Sequence, residues 1–210
     1  MLISSLVTEI IYILFACILG IIFLILLFMP LIFKNYSKKH FQKLVYRKIH
    51  NLVMYYDYYL INNFPLKKGE DLITTLDHVL ISNKYIYVIK DRYYQQPVSA
   101  SVNDMVWLAY DKTGAKTEFN NPILMNNIRC DKFSSIKFID RKCLISIVVV
   151  NDDAYVEKQE ELNTFNSFFV RKKDLKKLIK KLEKRNVSTF NAEALDKKVM
   201  DIWKDTGREF

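Results

Sequence analysis

Between Ile10 and Phe33 the chain carries no charged side chain. Gly20 and Pro30 are the only helix-weak residues in that run. Twenty-four residues at ~1.5 Å rise give about 36 Å, enough to cross a hydrocarbon layer ~30 Å thick with some tilt. A core helix of that length would show a polar stripe, and this run shows none. A cleaved leader would begin with basic residues and have a shorter apolar centre. The opening MLISSLVTE has neither Lys nor Arg. The run therefore predicts a retained transmembrane helix that contacts the lipid bilayer through residues 10–33.

The flanks predict its direction. Lys34, Lys38, Lys39, Lys43, Arg47 and Lys48 crowd the C-terminal side, and Glu9 is the only charge before the run. The positive-inside rule places the basic side in the cytoplasm. The expectation is a single-pass protein of the cell membrane, N-terminus outside and C-terminal domain cytoplasmic. The formal net charge of +9 belongs wholly to the part after the run. Such an excess suits nucleic acid or anionic headgroups without choosing between them, and a Lys-rich compositional bias would also produce it.

After the anchor, Phe41, Leu44, Val45, Leu52, Val53 and Tyr56 recur at helical spacing, which predicts an amphipathic helix over 37–56. Tyr58–Phe64 reads as a strand stopped by Pro65, and Lys67-Lys68-Gly69-Glu70 as a turn. Two strand-like runs, Thr74–Ser82 and Lys84–Ile89, follow with only Asn83 between them, so a hairpin is the simplest geometry. Met105–Tyr110 and Lys116–Phe119 make a second strand pair. Asn121 caps a helix that starts at Pro122 and runs to about Ile136.

Leu144–Val150, apolar apart from Ser146, has the pattern of a strand buried on both faces. A short strand over Phe168–Val170 precedes Asp174, read as a cap for a Lys-rich helix with Leu175, Leu178, Ile179 and Leu182 on one stripe. A last helix near Asn191–Lys204 carries Leu195, Val199, Ile202 and Trp203. This order predicts an α/β fold with a mixed sheet flanked by helices, preceded by the transmembrane helix. The divisions expected are 1–33 for tail and anchor and 34–58 for a basic juxtamembrane helix. A globular domain over 41–185 and a C-terminal helix over 186–210 complete them.

Cys17, Cys130 and Cys143 have no metal-type spacing, and their odd number argues against a disulfide framework. His40, His50 and His78 form no zinc-type cluster. Four scattered glycines leave no phosphate cradle of the P-loop or GxGxxG kind.

Three elements carry a family likeness. They are Leu76-Asp77-His78-Val79-Leu80-Ile81-Ser82, then Tyr85–Ile89 ending in Lys90-Asp91-Arg92-Tyr93-Tyr94, then Trp107 with Asn121-Pro122-Ile123. Over about Phe41–Arg185 the chain resembles the nuclease-related domain family, NERD, whose pattern reads roughly IDHIVVS, GIFVIETKNY, a Trp and NPxxQN. The resemblance implies a restriction-endonuclease-like fold with a PD-(D/E)xK site. In that site an Asp on one strand and a Glu on the next hold Mg²⁺, and a Lys two residues on lies on the same strand face.

Carried across, Asp77 matches the first metal-binding acid. Lys90 stands at the second acid's position and Arg92 at the catalytic lysine's. Asp91, between them, is expected on the opposite face, as is His78, which reads as a core histidine. A bulge could turn Asp91 inward as a substitute acid, but Tyr93 would then stand where Lys is required. The GxxGE-like motif of the family's first helix has no counterpart near Lys43–Arg47. Met125 replaces the Gln of NPxxQN, while Asn126 keeps the Asn.

Lys90 and Arg92 should pair with Asp77 and repel a divalent cation. The resulting expectation is a degenerate site, a pseudoenzyme that takes Mg²⁺ only if active. Its domain binds DNA or RNA or acts as a scaffold. Lys172, Lys173, Lys176, Lys177 and Lys180 are the candidate phosphate contacts. Two alternatives stand beside it. One is an active Mg²⁺-dependent nuclease that recruits Asp91, Asp57 or Glu70. The other is a protein–protein interaction module with an unidentified protein partner and no nucleic-acid binding.

Overall fold

The computed structural model describes the backbone of residues 2–206, and their side chains except at 2–13, 16, 27, 30–35 and 160. The chain divides into two compact units, 1–41 and 42–210. Helix α1 is Leu2–Tyr56.

In the first unit, the described side chains of the apolar run, among them Leu14, Phe15, Ile18 and Phe23, are exposed. Among the described residues, no helix is long and apolar enough to cross a membrane. Much of the run expected to span the bilayer lies outside the described side chains.

The second unit is built on a five-stranded mixed sheet in the order β1-β2-β3-β7-β8. Strands β1 (Tyr59–Lys68), β2 (Asp71–Ile81) and β3 (Ile86–Arg92) pair antiparallel. Strands β7 (Leu144–Val150) and β8 (Ser167–Arg171) continue the sheet in parallel. The return from β3 to β7 passes through a second, three-stranded sheet and helix α2 (Pro122–Lys137). That small sheet is β4 (Val98–Ser99), β5 (Val106–Tyr110) and β6 (Lys116–Asn120). Helices α3 (Leu175–Glu183) and α4 (Ala192–Lys204) close the chain.

The sequence dictates several of these elements locally. All seven residues of β7 are buried, which follows from pairing on both edges and cover on both faces. Asn121 caps α2: its Oδ1 accepts from the Ile123 and Leu124 N–H groups, and Pro122 takes the first helical position, where no N–H is needed. The β2–β3 hairpin is closed by Ser82, whose N–H and hydroxyl both donate to the Tyr85 carbonyl. Gly69 (φ 64) and Gly114 (φ 83) supply the left-handed backbone of the two other hairpin turns.

Two readings need correction. Pro65 does not stop β1, which continues to Lys68. β1 is an edge strand, where a missing N–H costs no ladder bond on the open side. Asp174 makes no side-chain cap bond, and a short 3₁₀ turn over Lys172–Asp174 leads into α3 instead. The two-residue β4 was not expected.

Two apolar clusters hold the unit together. One joins Ile61, Val79, Ile81 and Val88 of the sheet to Phe133 of α2 and to Val199 and Ile202 of α4. Each such fully buried side chain contributes about 2–3 kcal/mol. Asn63, at φ 51, resets the alternation of β1 so that Ile61 and Phe64 both enter this cluster. The C-terminal helix is thus part of the core of the second unit. The other cluster seats Trp107 of the small sheet against Val148, Val150 and Phe169.

The sheet therefore has two distinct faces. Side chains of Val79 and Val88 point toward α2. Tyr87 points the other way and donates to Glu183 of α3. α3 lies beside the end of α1, where Lys48 Nζ donates to the Lys173 carbonyl and Lys180 approaches the Tyr56 ring.

Candidate functional site

Strands β2 and β3 pair from Ile81/Ile86 to His78/Ile89. One step further the ladder ends, and Asp77 and Lys90 occupy the gap where the strands part. Alternation puts Asp77 on the face of Val79, and Lys90 and Arg92 on the face of Val88, so all three look toward α2. Lys90 Nζ lies 2.6 Å from Asp77 Oδ1, and the Asp91 N–H donates to Oδ2 at 3.3 Å. Both oxygens of the carboxylate are engaged.

α2 adds two residues to this face. Asn126 is buried, and its Nδ2 donates to the Val88 carbonyl and to Ser146 Oγ, both at 2.9 Å. It locks α2 to β3 and β7. Arg129, three residues later on the same side of the helix, carries Nε and Nη1 atoms that are buried with no hydrogen-bond partner among the described residues. Burial pushes the Arg129 guanidinium down from the usual range, Arg92 pushes it further, and Asp77 pulls it back. The Tyr94 hydroxyl is also buried without a partner, and burial raises its pKa against the opposing pull of Arg92. Arg129 and Tyr94 were not singled out from the sequence.

The opposite face carries a separate polar group. His78 Nε2 lies 3.0 Å from Asp91 Oδ2, and its Nδ1 is in hydrogen-bond contact with Asn62 Oδ1. The Asp91 and His78 side chains are only 3% and 9% exposed. Burial raises the Asp91 carboxyl, and the hydrogen bond from His78 opposes that rise. Asp91 Oδ1 is buried with no partner. The backbone N–H of Asp91 thus faces Asp77 while its side chain does not.

This donor set does not suit Mg²⁺, which takes hard anionic oxygens in near-octahedral array. Asp77 is already bound to an ammonium, and the neighbouring side chains on its face are cationic. Asp57 and Glu70 are both exposed, one at the turn before β1 and the other in the β1–β2 turn. Glu70 lies seven residues from Asp77 along the chain, roughly 23 Å at ~3.3 Å per residue. Among the described residues, no group of three His, Cys, Asp or Glu side chains could hold a metal.

The remaining candidates lie elsewhere. Trp107 Nε1 donates to the Ser101 carbonyl at 2.8 Å, and the ring meets Phe169 edge-on at 5.4 Å, so this aromatic is core and offers no open face to a base. Lys173, Lys176, Lys177 and Lys180 line an open groove of about 580 Å³, joined by Lys48, Lys181 and Lys184. Lys172 instead pairs with Asp152 at 3.1 Å. Lys176 and Lys180 stand over the Tyr55 ring at 5.4 and 6.0 Å. The groove runs along α3, on the sheet face away from Asp77.

A family model, NERD: nuclease-related domain, matches residues 35–151. That span contains Asp77, Lys90, Arg92 and Arg129, and ends before the lysine groove's α3 wall. No curated protein and no solved structure matches the chain.

Proposed function

The chain belongs to the nuclease-related domain family, whose general kind is the PD-(D/E)xK fold, and from that premise we propose a membrane-anchored member that has exchanged cleavage for binding. The observation that carries this reading is the Lys90–Asp77 pair at 2.6 Å. An ammonium sits where the family chemistry puts a metal-binding carboxylate. A guanidinium, as Arg92 places at the lysine position, is a poor general base.

Nucleic acid is the ligand this reading favours, held through phosphates by the lysine groove of α3 and Lys48. Tyr55 and Tyr56 beside the lysines add aromatic surface of the kind that single strands stack on. The membrane anchor is supported by the charge-free run 10–33 and by the exposure of its described apolar side chains. The basic flank supports a cytoplasmic domain.

The full chain in detergent, incubated with linear duplex and single-stranded DNA and RNA plus Mg²⁺ or Mn²⁺, tests this directly. The expected result is no cleavage, with binding whose log affinity falls steeply with log salt and weakens in Lys176→Glu/Lys180→Glu. Cleavage that vanishes in Asp77→Ala overturns the proposal. Absence of both cleavage and binding favours an interaction module for a protein partner.

A further inference from the structure

We propose that the inverted site is itself a receptor for a phosphate group, bound without a metal by Arg129, Arg92 and Lys90. The inference rests on the reading above that the site does not hold a divalent ion.

The charge balance comes first. Three cations face one carboxylate, and that carboxylate is taken by Lys90. Among the described residues, neither Arg92 nor Arg129 makes an ion pair. Burial first, and Arg92 after it, disfavour the charge on Arg129. Such an arrangement costs stability unless an anion completes it.

The hydrogen-bond count points the same way. Among the described residues, Arg129 Nε and Nη1 and the Tyr94 hydroxyl are buried donors with no partner. An orphaned buried donor costs about 1–3 kcal/mol, more when charged. Arg presents a planar fork that matches two oxygens of a phosphate, and Lys adds a point charge. A tetrahedral dianion can accept from several donors, here Arg129 on α2 and Lys90 and Arg92 on β3. Asn126 holds the two elements in register, so the donors are fixed before the ligand arrives.

Phosphate could come as the free ion or as the 5′-terminal group of a nucleic acid. Calorimetric titration of the full chain in detergent and EDTA separates them. The probes are inorganic phosphate and a short oligonucleotide with a 5′-phosphate or a 5′-hydroxyl. The expected result is saturable binding of inorganic phosphate without metal. Arg129→Gln should weaken it about tenfold or more, the value of one charged hydrogen bond. Asp77→Asn should tighten it severalfold, because it removes the one competing anion.

A 5′-phosphate preference that is lost in Arg129→Gln names the nucleic-acid terminus as the source. Equal binding of both oligonucleotides, alongside phosphate binding, names the free ion. No saturable phosphate binding, or binding that requires Mg²⁺, overturns the inference. So does Arg129→Gln binding as tightly as wild type. If that variant fails to fold, Asp77→Asn decides alone: unchanged or weaker binding overturns it. Asp77-dependent cleavage would sink the proposed function as well, whereas missing phosphate binding without cleavage sinks only this inference.

Discussion

Asp77 and Asp91 are neighbours across one strand gap, each bound to a basic side chain, and they differ in what surrounds them. Asp77 and Lys90 keep 20% and 17% of their side-chain surface, while Asp91 and His78 keep 3% and 9%. The first pair lies at the mouth between parted strands, near Arg92 and Arg129, which make no ion pair among the described residues. The second is sealed in the sheet's other face and tied to Asn62 on the edge strand. Two acid–base pairs of similar length therefore have different jobs. One sets the charge of a candidate site, and the other holds three strands together.

Removing each acid breaks or supports this contrast. Asp91→Ala leaves His78 Nε2 buried without its partner and should cost about 1–3 kcal/mol. Asp77→Ala frees an ammonium that can still reach water and should cost about 1 kcal/mol or less. Denaturant unfolding of the full chain in detergent measures both. Equal losses would mean that Asp77 is as structural as Asp91 and that the open pair is no site.

The contrast is sharpened by restoring the family charges on one face only. Lys90→Glu with Arg92→Lys returns a second carboxylate beside Asp77 and a lysine two residues on, and leaves His78 and Asp91 untouched. Mg²⁺ should then raise the unfolding free energy, by about 2.7 kcal/mol at a hundredfold excess over its dissociation constant, whereas wild type should not respond. A double variant as indifferent to Mg²⁺ as wild type would show that Arg129, not Lys90, sets the site's charge. Its triple combination with Arg129→Gln would then be the variant that responds.

The two faces were unequally legible in the sequence. Alternation along Asp77-His78 and Lys90-Asp91 is a local rule, and the Lys90–Asp77 and His78–Asp91 contacts fall on the two sides it separates. Asn121-Pro122 and the six apolar residues of β7 are equally local signals. Arg129 is different. No pattern around it marks a site, and only the parallel pairing of β3 with β7 lays α2 across the parted strands. One signal was available: Asn126 belongs to the family pattern, and a residue three places on shares its helix face. Asn62 needed the β1 register, and Pro65 was misread because punctuation by proline carries no knowledge of which strand is at the edge.

The smallest expected effect concerns pH, and its sign decides what Asp91 is. Burial holds the Asp91 carboxyl above its ordinary value, with the His78 bond opposing. An acid whose folded pKa exceeds the unfolded value, ~3.9, binds its proton more tightly in the fold. Its stabilising contribution is complete below the unfolded pKa and is lost as pH rises through the folded one. The stability of wild type relative to Asp91→Asn should therefore fall as pH is raised from about 4. Thermal unfolding of the two proteins at closely spaced pH values reads the difference. A rise instead of a fall would show that pairing with a protonated His78 outweighs burial. Asp91 would then be a buried ion held by its partner, electrostatically the same kind of object as Asp77, and burial alone would separate the two faces.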